Sequence, residues 1–229
     1  MYTSHAAHVP DVSALELVEA VARVVSALPP AQASEVASSM VSPLMLLVHQ
    51  AEQQCASEGA VSAVSKTELV TSLKRYSYFM RHVDSAQLHP CTASFVAAWP
   101  TLETLFATCG ACEPVMENLC FVIRFGFRAV GTGGAPVLQL VAAKLVANFV
   151  EHEFVGMLFA CKALVEEFGA SGDAVHVQAL TEVLNAVVQQ ATAALSSPEK
   201  LAANPELVEG TTCTAYHPVC SCRFAYSYT

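Results

Sequence analysis

Residues 113–131 read EPVMENLCFVIRFGFRAVG, and their spacing decides the fold. Apolar side chains fill most of the stretch, as expected of a helix packed on most of its circumference. One stripe differs. Glu117, Phe121, Arg124 and Arg128 recur at i, i+4, i+7 and i+11, so they share one helical face. Gly131 follows as a natural residue just past a helix end, because glycine enters the left-handed region without steric cost. A narrow cationic strip on an otherwise apolar helix predicts contact with another molecule and points away from catalysis.

Working outward, the same helical period recurs. The spacing predicts helices over 11–28, 31–54, 66–83, 90–109, 135–150, 153–168 and 173–195. Pro29-Pro30, Gly131 and Gly169 punctuate them, and residues 55–65 read as a loop. Leu69, Leu73, Tyr76, Met80 and Val83 form one clean stripe; Val177, Leu180, Leu184, Val187, Val188, Ala191 and Leu195 form another. No segment alternates as a strand would. Helices of this length, joined by short connectors and recurring about every 40–50 residues, predict an all-α superhelix of HEAT/armadillo-type repeats. A compact helical bundle is the alternative.

The expected organisation is a disordered N-terminus at 1–10, about four helical hairpins over 11–203, and an aborted helix with an irregular tail over 204–229. A stack open at both ends exposes apolar helix faces, so the chain reads as a fragment of a larger repeat protein.

The composition fits this picture. Of 229 residues, 54% are hydrophobic and 14% charged, enough apolar material for a large core. The net charge of −9 argues against direct nucleic-acid binding, which needs many cations to neutralise phosphates. No apolar run free of polar interruption reaches the ~18 residues of a membrane span. Six of the cations, Lys66, Lys74, Arg75, Arg81, Arg124 and Arg128, fall in two of the expected helices. Lys74, Tyr78 and Arg81 share a face opposite the Leu69/Leu73/Met80 stripe, and could extend the arginine strip or be an ordinary solvated face.

Other motifs carry little chemistry. Residues 1–10 have neither the basic nor the apolar region of a signal peptide, and the nine cysteines read as reduced, mostly buried thiols. Cys109-Gly110-Ala111-Cys112 lacks the βαβ context of a redox motif and two further zinc ligands. Cys213, His217, Cys220 and Cys222 have ligand-type side chains without a paired knuckle. Residues 131–134 (GTGG) follow a helix and lack the Gly-Lys-Ser/Thr of a phosphate loop. No nucleophile–base set is recognisable. The expectation is a protein that is not an enzyme and uses no cofactor or metal.

Several short motifs then line up in order: Ala27-Leu28-Pro29-Pro30, His89-Pro90-Cys91, Trp99-Pro100, the arginine helix ending in 124–131 (RFGFRAVG), Leu158-Phe159, residues 164–169 (LVEEFG) and residues 204–209 (NPELVE). Together they resemble the transportin-SR branch of the importin-β (karyopherin-β) nuclear transport receptors, which includes the importin-thirteen type. The resemblance covers about 11–209. It implies a superhelix with the helices at 11–28, 66–83, 113–130 and 153–168 lining the concave side. It implies a receptor that shuttles between cytoplasm and nucleus, carries cargo with an acidic or phosphorylated Arg-Ser segment, and meets Ran GTPase and nucleoporins. The Ran-binding repeats of the family are expected to lie outside this chain. In that branch an arginine-rich inner helix grips phosphorylated Arg-Ser domains. Arg124 and Arg128 fall on two of its arginine positions, whereas Asn118 and Phe121 stand at two others. The cargo-binding residues expected are therefore Arg124, Arg128, Phe121 and Asn118, by the resemblance, with Lys74, Tyr78 and Arg81 as the extension read from their shared helical face. A HEAT-repeat scaffold or regulatory subunit of a protein complex is the alternative function.

Overall fold

The computed structural model describes residues 11–84, 89–169 and 173–215. Among them are eleven α-helices and no strand: α1 (Asp11–Ser26), α2 (Pro30–Glu58), α3 (Ala63–His82), α4 (Thr92–Leu102), α5 (Thr104–Thr108), α6 (Glu113–Val130), α7 (Ala135–His152), α8 (Val155–Phe168), α9 (Ala174–Ala194), α10 (Pro198–Ala203) and α11 (Pro205–Ala215). One 3-10 turn, Gly131–Gly134, links α6 to α7.

The helices stack in two rows. α1, α3, α6, α8 and α11 pack side by side in one row, while α2, α4 with α5, α7 and α9 form the other. Consecutive helices cross between rows, as α2 does to α3 and α7 to α8. Each helix meets its sequence neighbour and the corresponding helix of the next pair, which is the packing logic of a repeat solenoid. A continuous apolar core runs between the rows from Val18 to Leu207.

Three boundaries differ from the sequence expectation. The helix expected over 90–109 is broken at Glu103 into α4 and α5. Pro100 inside α4 supplies no backbone N–H, which weakens the turn before the break. The loop expected over 55–65 shrinks to a few residues. α2 runs on to Glu58 and ends on Gly59 in the left-handed conformation (φ 76°), and Ser62 then caps α3 by accepting the N–H of Ser65.

The third difference concerns Gly210, where helical order was expected to end. The helix instead continues to Ala215. A Cβ at Gly210 would come within 3.0 Å of Leu158 Cδ1 and 3.1 Å of Val155 Cγ1, so this glycine lets α11 lie close against α8. Thr211 and Thr212 then donate their hydroxyls to the carbonyls of Leu207 and Val208, at 2.6 and 2.7 Å. The cysteine and histidine cluster of the tail lies outside the described residues from His217 on.

Run together, residues Glu113–His152 are long and apolar enough by length and composition to cross a membrane. Here the run bends at the 3-10 turn, and the apolar face of α6 is spent on α3 and α8.

Candidate protein-docking surface

α6 follows its sequence closely. Pro114 sits in the first turn, where a missing N–H costs nothing, and Gly131 ends the helix with φ 54° while its N–H reaches Phe127 O. Glu113 near the N-terminus and Arg128 in the last turn both suit the helix dipole. Val115, Leu119, Val122 and Ile123 are fully buried, as their spacing predicts. Gly126 lies against the Phe95 ring, which leaves no room for a Cβ.

The opposite face carries Glu117, Asn118, Phe121, Arg124, Phe125 and Arg128, all at least partly exposed. Phe121 and Phe125 stack with centroids 6.2 Å apart and planes at 17°. The guanidinium carbons of Arg81 in α3 and Arg124 lie 5.4 and 5.7 Å from the Phe125 centroid. Two helices thus gather two arginines around one aromatic ring, a favourable use of the ring's negative face. The sequence reading missed Phe125 because it followed a single stripe, although i+4 from Phe121 was the available signal.

The other expected residues separate. Asn118 donates to Pro114 O at 2.8 Å within its own helix. Lys74 is exposed on α3. Tyr78 turns toward α1, where its hydroxyl donates to Glu19 Oε2 at 3.5 Å and its ring lies 4.5 Å from that of His82. Arg128 reaches α8 and bonds Glu166 Oε2 at 2.6 Å, with side-chain exposures of 36% and 19%. Lys162 approaches the other oxygen of Glu166 at 3.7 Å. Arg128 therefore already has a carboxylate partner that any ligand must displace.

Beside Arg81, a cavity of about 450 Å³ opens between the ends of α1 and α3, lined by Arg23, Ser26, Arg81, His82, Val83 and Asp84. Ser26 closes one wall by accepting the N–H of Asp84 at 2.9 Å. Glu19, held by Arg23 at 2.6 Å, keeps its carboxyl below the ordinary range. Loss of water pushes the His82 imidazole below its ordinary value; Glu19 opposes this, while Arg81 and Arg23 add to it. At the far end of the strip, loss of water and then the charges of Glu113 and Glu206 push Glu117 up.

Charge divides between the rows. α1, α3, α6 and α8 carry Arg23, Lys66, Lys74, Arg75, Arg81, Arg124, Arg128 and Lys162. α2, α4, α5, α7 and α9 carry Lys144 as their one lysine or arginine, together with Glu35, Glu52, Glu58, Glu151 and Glu182. The cations thus concentrate on one row, where α1, α3, α6 and α8 interleave them with Asp11, Glu16, Glu19, Glu68, Glu113, Glu117, Glu166 and Glu167. Any attraction for an acidic partner is therefore local to the arginines rather than a property of the whole row.

The described cysteines are free thiols. Burial pushes Cys91 and Cys161 to about 12, so both stay protonated and inert at neutral pH. Among the described residues no three His, Cys, Asp or Glu side chains gather as a metal site.

Residues 89–195, from the turn before α4 to the end of α9, match the family model of the Transportin-3/Importin-13 fourth TPR domain. That segment holds α6 and its arginines, and α3 with Arg81 precedes it. The two-row helical stack and this match over 89–195 support the resemblance of the chain to the transportin-SR/importin-13 branch of the importin-β family.

Proposed function

We propose that this chain is a cargo-binding segment of a nuclear import receptor, and that the α3–α6 strip receives an acidic or phosphorylated segment of the cargo. The family is one of transport receptors rather than an enzyme class. The observation that carries the proposal is the pair of guanidinium groups, Arg81 and Arg124, held over Phe125 inside an otherwise acidic molecule. Guanidinium forks bind carboxylates and phosphates through paired, charge-assisted hydrogen bonds. Lys74, two helical turns before Arg81 on α3, adds charge to the same helix, and Arg128 joins once its bond to Glu166 is exchanged. SR-type splicing factors are the cargo class in keeping with the family, with Ran and nucleoporins as further partners and passage between cytoplasm and nucleus as the setting. Glu113 and Glu117 at the other end of α6 would orient the bound segment, turning its negative end toward Arg81 and Arg124.

Titration of a labelled Arg-Ser repeat peptide, phosphorylated and unphosphorylated, tests this. The phosphorylated form should bind more tightly, and its affinity should fall as salt screens the arginines. Replacing Arg81 and Arg124 together by Ala should remove most of the phosphate-dependent part. Equal binding of both peptides by wild type and the double variant would remove the strip from consideration.

A further inference from the structure

Phe121 has a position that phosphate recognition does not require. Phe125 packs against the core, whereas Phe121 leans on the Phe125 ring and is absent from the described residues that pack on that core. Its partly exposed ring extends a two-ring stack outward from α6. Beyond the stack lie Arg124 and, across from α3, Arg81. Among the described residues Arg81 has no carboxylate partner; its contact is the Phe125 face. The surface is thus an aromatic shelf with guanidinium groups fixed at one end.

A run of phosphates gains nothing from such a shelf, because a phosphate loses hydration on approaching an apolar ring. A segment with an aromatic side chain among carboxylates uses both parts. Its ring continues the stack on Phe121, since offset aromatic pairs favour separations of this order. Its carboxylates meet Arg81 and Arg124, already oriented by Phe125 and so losing less freedom on binding. Aromatic and arginine side chains also dominate the energetics of protein interfaces.

We infer that the Phe121–Phe125 shelf, flanked by Arg81 and Arg124, is the seat for a partner-protein segment in which an aromatic residue is set among acidic ones. This rests on reading the strip as a cargo surface and names the chemistry of the anchor. The expected polarity places the acidic residues over Arg81 and Arg124 and away from Glu117.

Fluorescence anisotropy on the full chain tests it with three labelled peptides: a short acidic peptide with one central tryptophan, the same peptide with alanine at that place, and a phosphorylated Arg-Ser repeat peptide. Wild type should bind the tryptophan peptide about tenfold more tightly than its alanine counterpart. Phe121→Ala should reduce that advantage to about twofold or less, Phe121→Tyr should retain it, and thermal melting should show both variants folded. Arg81→Ala with Arg124→Ala should weaken both acidic peptides. Equal affinity of wild type for the two acidic peptides overturns the inference, as does an advantage that survives Phe121→Ala. If the phosphorylated peptide binds through the arginines while tryptophan makes no difference, the aromatic anchor falls and the cargo surface stands. If none of the peptides binds, both fall.

Discussion

α6 and α9 are amphipathic helices of similar length, 18 and 21 residues, yet they occupy the fold differently. α6 buries nine residues between α3 and α8. α9 buries four, Leu180, Val183, Val187 and Ala191, although its sequence also carries an apolar stripe, a less sharply divided one than that of α6. Val177 of that stripe is exposed, and Leu184, Val188 and Leu195 are half-buried. In a helical stack, a helix with a row neighbour on both sides spends its whole apolar face, and a helix with fewer neighbours leaves part of the same pattern in water. Periodicity reports which face points inward; neighbours decide how much of it is covered.

The largest expected effect tests this directly. Phe127 is fully buried and meets Phe95 and Phe168 edge-on, with centroids 5.3 and 5.7 Å away. Phe127→Ala should cost about 3–5 kcal/mol by urea denaturation, since transfer and cavity terms add. Leu184→Ala in α9 should cost about 1 kcal/mol, because the side chain is already partly hydrated. Comparable losses at the two sites would break the contrast between a filled and a half-filled face.

The same contrast explains what was legible in the sequence. Helix identity and the buried side of α6 followed from spacing alone, because local period and tertiary burial agree there. The break at Glu103 and the extension beyond Gly210 were hidden for opposite reasons. Pro100 sits inside a helical pattern that continues after it, so the period masks the interruption. Gly210 looks like a terminator until α8 is known to lie against it. The candidate docking surface was half legible. Arg124, Phe121 and Arg81 could be placed on faces, but Phe125 as the link between two helices, and Glu166 as the partner of Arg128, are products of lateral packing between non-consecutive helices.

A smaller effect should appear with pH, at the α3–α4 turn beside the well-packed row. His89 is buried there; its Nε2–H donates to Val83 O at 3.1 Å and its Nδ1 accepts the N–H of Cys91 at 3.3 Å. Both nitrogens are used by the neutral ring, and loss of water holds its pKa below the ordinary value of 6.5. The unfolded chain therefore takes up a proton before the folded one. The stability tied to the neutral ring is present above pH ~6.5 and is lost as pH falls toward the folded-state pKa. His82 contributes with the same sign. Urea midpoints at pH 7.5 and 5.5 should fall with acidification, and His89→Gln should flatten the dependence. A midpoint unchanged between the two pH values would mean that this turn is not under proton control.

The smallest effect compares polar links across the stack. Arg128–Glu166 joins α6 to α8 at 2.6 Å, while Gln190 of α9 donates to Glu153 at 3.1 Å in an exposed setting. If neighbours on both sides make the α6 row firmer, the first link should contribute more. Partial exposure limits both, because water and salt screen such pairs and ordering long side chains costs entropy. A double-mutant cycle with Arg128→Ala and Glu166→Ala should give a coupling of about 0.5–1 kcal/mol, and Gln190→Ala should stay within about 0.5 kcal/mol of wild type. Glu166→Ala alone should cost more than Arg128→Ala alone, since the carboxylate also serves Lys162 and its loss leaves two cations side by side. The same variant carries a functional readout with the opposite sign. Releasing Arg128 should strengthen binding of an acidic peptide several-fold at low salt, an advantage that added salt erases. Weaker binding would show instead that Glu166 holds Arg128 in the orientation a partner needs, so that the link between α6 and α8 shapes the docking surface as well as the stack.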